Sequence, residues 1–177
     1  GVHLSKVYQL QPFEILLKDS IKIGVRFSNQ YNHEDGLGLY YYNQKEEEWT
    51  FLPTRVHWKQ GSLTSTISSL DAITIIQDTI PPSVTSTFPA HGGHYDKRDV
   101  MNFNAFIKDD LSGIEPAEKY IAMYLDGERL YASYQPVEQE LSARLDSPLR
   151  TGGHELLIYV EDRAGHHTKK PINFSVY

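Results

Sequence analysis

The stretch Gly153-His154-Glu155-Leu156-Leu157-Ile158-Tyr159-Val160-Glu161-Asp162-Arg163-Ala164-Gly165-His166 decides the fold. In an extended chain successive side chains point to opposite faces, so residues two apart share one. His154, Leu156, Ile158, Val160 and Asp162 therefore lie on a single face, apolar in its middle and polar at its ends. That pattern is a strand with one side in a core, followed by a turn through Ala164-Gly165. Asp162 stands at the rim of that core, where a carboxylate accepts backbone N–H groups and fixes a turn.

The same alternation extends outward in both directions. Ile172, Phe174 and Val176 end the chain. Upstream, Leu141, Ala143 and Leu145 form one strand, and Leu130, Ala132 and Tyr134 form another. Ile121, Met123 and Leu125 precede Asp126-Gly127, a pair suited to a type I′ hairpin turn because both residues tolerate positive φ. Met101, Phe103, Ala105 and Ile107 alternate with polar neighbours, and with Val84 to Phe88 as the first strand the region holds about seven. The best helical candidate, Glu115 to Tyr124, alternates from Ile121 onward, which leaves room for a single helical turn at Pro116 to Lys119.

A second strand set precedes it. Ile21, Ile23, Val25 and Phe27 alternate with polar residues and glycine. Leu37 and Leu39 lead into Tyr40-Tyr41-Tyr42, and Trp49 and Phe51 begin a strand that Pro53 ends or places at an edge. Val56 with Trp58, and Leu63 to Ile67, flank a turn at Lys59 to Ser62, and Ala72 to Gln77 closes the set. Pro81-Pro82 then removes two backbone donors and stiffens the chain, so this segment reads as a linker. The expected organisation is all-β, with two β-sandwich domains in tandem over residues 1–79 and 80–177.

Composition limits the function. The chain has 177 residues, and its 40% hydrophobic and 23% charged content excludes a disordered chain. Its net charge of -6 argues against nucleic acid as main partner. No apolar run is long enough to span a bilayer. The absence of cysteine excludes disulfides, thiolate zinc sites and a cysteine nucleophile. The first residue is Gly1, not Met, which suggests a piece of a longer precursor.

Residues Asp110, Ser112, Gly113 and Ile114, with Gly152 or Gly153, His154, Leu156, Ile158, Val160, Asp162, Ala164 and Gly165, resemble the paired motifs of bacterial immunoglobulin-like modules in secreted and surface proteins. His166 replaces the asparagine usual in that family. The resemblance covers roughly Pro81 to Tyr177 and implies an immunoglobulin-like or fibronectin type III-like second domain. The phrase Ile76-Gln77-Asp78-Thr79-Ile80-Pro81-Pro82 is similar to segments that precede such modules in bacterial envelope proteins, M23-type cell-wall peptidases among them.

Few residues ask for a chemical role. Asp109, Asp110 and Asp162 sit in two loops expected at one end of the second sandwich. Their simplest role is fixing loops; the alternative is a calcium site, since calcium takes oxygen ligands from carboxylates, carbonyls and water. His91, His94 and Asp96 could ligate zinc, but the glycine pair between the histidines favours an ordinary loop. No G-x-S-x-G elbow and no phosphate-binding glycine loop occurs. Tyr40, Tyr42, Trp49 and Trp58 could offer a sugar-stacking platform, against which stands the routine use of such residues in packing.

The resemblance implies a non-catalytic extracellular, cell-surface or periplasmic module, needing no cofactor, that spaces, orients or attaches a larger protein. Its expected partners are the other domains of that protein, with a cell-wall or glycan ligand as a further partner. The alternatives are a carbohydrate-binding module and an accessory part of a secreted cell-wall peptidase.

Overall fold

The computed structural model describes residues 1–12, 15–28, 31 and 36–177. The chain divides into Gly1–Ile80 with Arg163–His166, and Pro81–Asp162 with His167–Tyr177. Both units are built from strands paired antiparallel, except for β10 in the second, and the architecture is all-β sandwich.

In the first unit the strands are β1 (Val2–His3), β2 (Tyr8–Gln9), β3 (Leu16–Arg26), β4 (Leu37–Asn43), β5 (Glu48–Leu52), β6 (Arg55–His57), β7 (Ser62–Ser69) and β8 (Ala72–Gln77). One sheet runs β1-β8-β4-β5, with β2 also on β8, and the other runs β3-β7-β6. Leu37, Leu39, Ile73 and Ile75 of the first sheet meet Val25 and Leu63 of the second in one apolar cluster. The turn expected at Lys59 to Ser62 is a short 3-10 turn, Trp58–Gln60, closed by Gly61 in the left-handed region. Strand β3 starts earlier than the alternation predicts, at Leu16, because its register against β7 shifts between Leu16 and Ile21. The shift interrupts the apolar period there, so residues 16–20 carry no alternation to read.

In the second unit the strands are β9 (Ser83–Phe88), β10 (His94–Tyr95), β11 (Asn102–Lys108), β12 (Ile121–Leu125), β13 (Glu128–Arg129), β14 (Ala132–Gln135), β15 (Glu140–Arg144), β16 (Gly152–Glu161) and β17 (His167–Val176). One sheet has the order β14-β15-β11-β9 and the other β10-β17-β16-β12-β13. The main strands take the immunoglobulin arrangement, four in one sheet and a three-strand centre of β12, β16 and β17 in the other. Phe103, Ala105, Ile107 and Leu141 of one sheet face Met123, Leu156, Ile158, Val160, Ile172 and Phe174 of the other. Phe103 is fully buried, and its ring centroid lies 6.3 Å from that of Phe174.

Two local readings change. The strand expected over Leu130 to Tyr134 is β14, which starts at Ala132 and pairs with β15, and a separate two-residue strand before it, β13 at Glu128–Arg129, pairs with β12 in the other sheet. The chain changes sheets there, which alternation does not reveal, since β13 is two exposed charged residues and carries no apolar period. Residues 116–120 form a turn with Tyr120 N–H donating to the Ala117 carbonyl at 2.8 Å, with no helix.

Residues 81–177 expressed alone should unfold in one cooperative step by circular dichroism. In that fragment Phe103→Ala should cost about 3–5 kcal/mol through the cavity it leaves. A non-cooperative fragment, or a Phe103→Ala loss below about 1 kcal/mol, would contradict a self-sufficient core.

Candidate functional site

The acidic loops of the second unit come first. One Asp109 carboxylate oxygen accepts the N–H of Leu111 at 3.1 Å and of Gly113 at 2.6 Å, with the Ser112 hydroxyl at 3.4 Å. Gly113 is at φ 78, a conformation that a side chain would strain. Asp162 is 2% exposed and forms an isolated antiparallel bridge pair with Ile114, so the loops after β11 and β16 meet at one end of the sandwich. Asp110 instead faces solvent and pairs with Lys108 at 2.5 Å. The Asp110 hydrogen bond and charge hold the Lys108 ammonium above its ordinary range. Asp109, Asp110 and Asp162 do not gather into a group with ligand atoms within 4.8 Å of one another. The Asp109 carboxylate holds backbone N–H groups.

The aromatic candidates of the first unit divide between surfaces. Tyr40 pairs across the hairpin with Phe51, its ring 5.4 Å away edge-on, and is fully buried. It offers no face to a ligand. Trp58 packs on the apolar cluster, 5.6 Å from the Phe27 ring. Tyr42 and Trp49 are directly opposed on β4 and β5, half-buried, with ring centroids 5.3 Å apart, and His3 meets Trp49 at the same distance. The four residues therefore do not form one row.

The loop His91 to Asp96 runs beside β17. His94 and Tyr95 form β10, parallel to Ser175 and Val176. His91 Nδ1 accepts the Asn173 N–H at 3.2 Å, and His94 Nδ1 lies 2.6 Å from the Ser175 hydroxyl. The side-chain hydrogen bond from Arg98 holds the Asp96 carboxyl well below the usual carboxylate range. The three residues face three different partners and form no ligand group.

Two features escaped the sequence reading, the first of them a pairing made by Asp126 of the turn that the sequence did predict. At the tip of the β12–β13 hairpin, Asp126 and Gly127 take φ 51 and 86, the double positive value of a type I′ turn. Asp126 accepts the Glu155 N–H at 2.9 Å with one oxygen and meets His154 Nδ1 at 2.6 Å with the other. His154 Nε2 lies 2.8 Å from the Arg150 carbonyl, so both ring nitrogens face acceptors. Burial opposes the charge on His154, but the Asp126 carboxylate and the Arg150 carbonyl outweigh it, and the net pKa rises above 6.5. The second feature is a hollow on the outer face of β12, β16 and β17, lined by Tyr124, Leu157 and Tyr159. The parity of β16 placed those residues outside, but only the strand order brings them together.

Fold and site together define an all-β protein of β-sandwich units. No protein-family model matches the chain, and no curated protein matches it by sequence. Among solved structures it is similar to CopC from Methylosinus trichosporium OB3b, at 17% identity over 54% of this chain and 92% of that one, with a TM-score of 0.42. It is also similar to PcoC, a methionine-rich copper resistance protein from Escherichia coli, at 12% identity over 55% of this chain and 100% of that one, TM-score 0.42. Dimeric latent PorU from Porphyromonas gingivalis matches 96% of this chain and 23% of its own at 13% identity, TM-score 0.42. Likenesses at this level carry no functional argument, and copper resistance belongs to the protein so described.

Asp109→Ala should destabilise the chain by about 1–3 kcal/mol, because it leaves half-buried N–H groups without their acceptor. Millimolar calcium should leave the melting temperature unchanged. A calcium-dependent rise abolished by Asp110→Asn or Asp162→Asn would instead make these loops a metal site.

The His154 pair predicts a pH dependence. Its folded pKa is raised, so its contribution is complete below the ordinary 6.5 and is lost as pH rises through the higher folded value. The stability difference between the parent and His154→Gln should therefore shrink on going from pH 5.5 to pH 9. The change should be on the order of 1 kcal/mol after screening at the half-exposed Asp126. A difference independent of pH would rule out a charged His154.

Proposed function

We propose that the chain is a non-catalytic module of a larger secreted or surface protein. It works outside the cytoplasm, in the periplasm or at the cell surface, and spaces, orients or attaches its parent. The observation that carries this reading is that each unit has its own apolar core, on either side of the Pro81-Pro82 junction. Separate cores joined by a stiff segment suit a modular spacer, which must hold its shape without a ligand.

The use made of polar and aromatic side chains supports the same reading. Asp109 holds a loop, His154 and Asp126 hold a hairpin, Asp96 pairs with Arg98, and Tyr40 is packed inside. The resemblance of residues 76–82 and 81–177 to segments of bacterial envelope proteins makes a cell-wall peptidase of the M23 type a suitable parent. Attachment to a glycan through the first unit would fall to Tyr42 and Trp49, the two aromatic candidates that meet each other away from the core cluster.

Deleting residues 1–177 from the parent should leave the rate of a catalytic domain on a soluble substrate within about twofold. The same deletion should reduce the fraction of parent retained by the cell envelope. The isolated chain should hydrolyse neither peptidoglycan nor its peptide cross-links. Turnover by the isolated chain, or unchanged retention after the deletion, would overturn the proposal.

A further inference from the structure

An antiparallel sheet that covers a core on one side normally turns polar residues to water on the other. The central sheet of the second unit departs from this. Leu156, Ile158 and Val160 of β16 fill the core, yet the opposite parity carries Leu157 and Tyr159, both half-buried. Tyr124 of β12 is paired with Leu157, and Pro171 of β17 is paired with Leu157 on its other side. None of these belongs to the apolar core cluster. Tyr124, Leu157 and Tyr159 line a hollow of about 410 Å³ together with Lys119, Gly127, Glu155 and Lys169. That volume falls in the range of small-molecule sites, roughly 300–1,000 Å³. Gly127 keeps one rim low, since nothing lies within 4 Å of where its Cβ would stand.

The hollow is polar at its two ends: Lys119 and Lys169 line one, where the Glu161 carboxylate also stands on the Tyr159 hydroxyl, and Glu155 lines the other. Lys169 is directly opposite Tyr159 in the β16–β17 register, with its ammonium 5.9 Å from the ring centroid. The Lys119 ammonium sits 4.2 Å from the Tyr120 ring centroid, and the Tyr120 carbonyl accepts the Glu161 N–H, which places Lys119 at the same end. Glu155 lies four residues earlier on β16, about 13 Å away at strand rise. Tyr159 donates its hydroxyl to Glu161 at 2.7 Å, and that bond with burial pushes its pKa up to about 12. The phenol is therefore neutral, and its ring is held in place at the lysine end.

We propose that this outer face of β12, β16 and β17 binds a short saccharide bearing a carboxylate. The pyranose C–H faces lie on Tyr159, Tyr124 and Leu157, the carboxylate is taken by Lys169 and Lys119, and sugar hydroxyls donate to Glu155. The hollow lies on the face of the sheet, whereas an extended peptide that adds as a further strand takes a sheet edge, so strand addition does not describe this site. Ring faces beside two lysines, with Glu161 engaged by the Tyr159 hydroxyl and Glu155 at the far end, suit an acidic sugar of two or so units. The site stands apart from the spacer role and does not depend on it.

The test is a titration of the isotope-labelled full chain with digalacturonate, followed by amide NMR shifts, with its neutral methyl ester and a tetraglutamate peptide as comparisons. Shifts should cluster at residues 119–127, 155–159 and 169. The ester should bind about tenfold more weakly, because it lacks the charge-assisted contact. Lys169→Glu and Lys119→Glu, both surface changes that leave the dispersed spectrum intact, should each weaken digalacturonate about tenfold or more, and Tyr159→Phe should keep most of the binding. Absence of shifts, shifts elsewhere, or equal binding of the ester would overturn the proposal. Tighter binding of tetraglutamate on the same residues would also overturn it, in favour of an acidic peptide.

Discussion

The second unit depends on the parity of β16. That strand is paired along its whole length with β17, from Gly152↔Val176 to Glu161↔His167, and with β12 from Ile121↔Val160 to Leu125↔Leu156. A slip of one residue against either neighbour would turn Leu156, Ile158 and Val160 to water and bring Glu155 and Glu161 into the core. Burying those carboxylates without partners costs far more than any rearrangement of loops could return. Register is thus set from both sides, and each loop at the two ends of the sandwich inherits its position from it.

Polar side chains at those ends then hold the turns that the register requires. Asp109 gathers the N–H groups of a loop that no ladder serves, and Asp126 ties the β12 hairpin to the first residues of β16. Buried or half-buried N–H groups need acceptors, and a carboxylate one to four residues away supplies them at little cost in chain entropy. This use of acids explains why a chain with an excess of Asp and Glu assembles no three-carboxylate cluster from Asp109, Asp110 and Asp162.

In the second unit, changes of sheet keep the edge strands β10 and β13 short. The chain leaves β9 for the two-residue β10, and leaves the two-residue β13 for β14, so that no long apolar edge is presented at those places. In the first unit β5 is a short edge strand followed by Pro53, which cannot donate to a further neighbour. Beside it, β4 buries Leu37, Gly38, Leu39 and Tyr40 in succession, on both faces. Tyr40 therefore lies inside, although composition alone made it an equal candidate with Tyr42 for a ligand platform.

Period-2 alternation is a local property, and so the sequence by itself determined the longer strands, the inward faces of β11, β12, β15, β16 and β17, the Asp126-Gly127 turn and the all-β class, but not the two-residue strands β1, β2, β10 and β13, which are too short to carry a period. The role of Asp109 in its loop was legible for the same reason, since its partners lie within four residues. Which strands neighbour one another is a matter of long-range pairing, and only the tertiary structure decided it. It split residues 128–135 between two sheets, separated Trp58 from Tyr42 and Trp49, and joined His154 to Asp126 across 28 positions. It also assembled Tyr124, Leu157, Tyr159 and Lys169 into one hollow from three strands. Alternation says that a side chain faces outward; it carries no information on what stands beside it in the next strand.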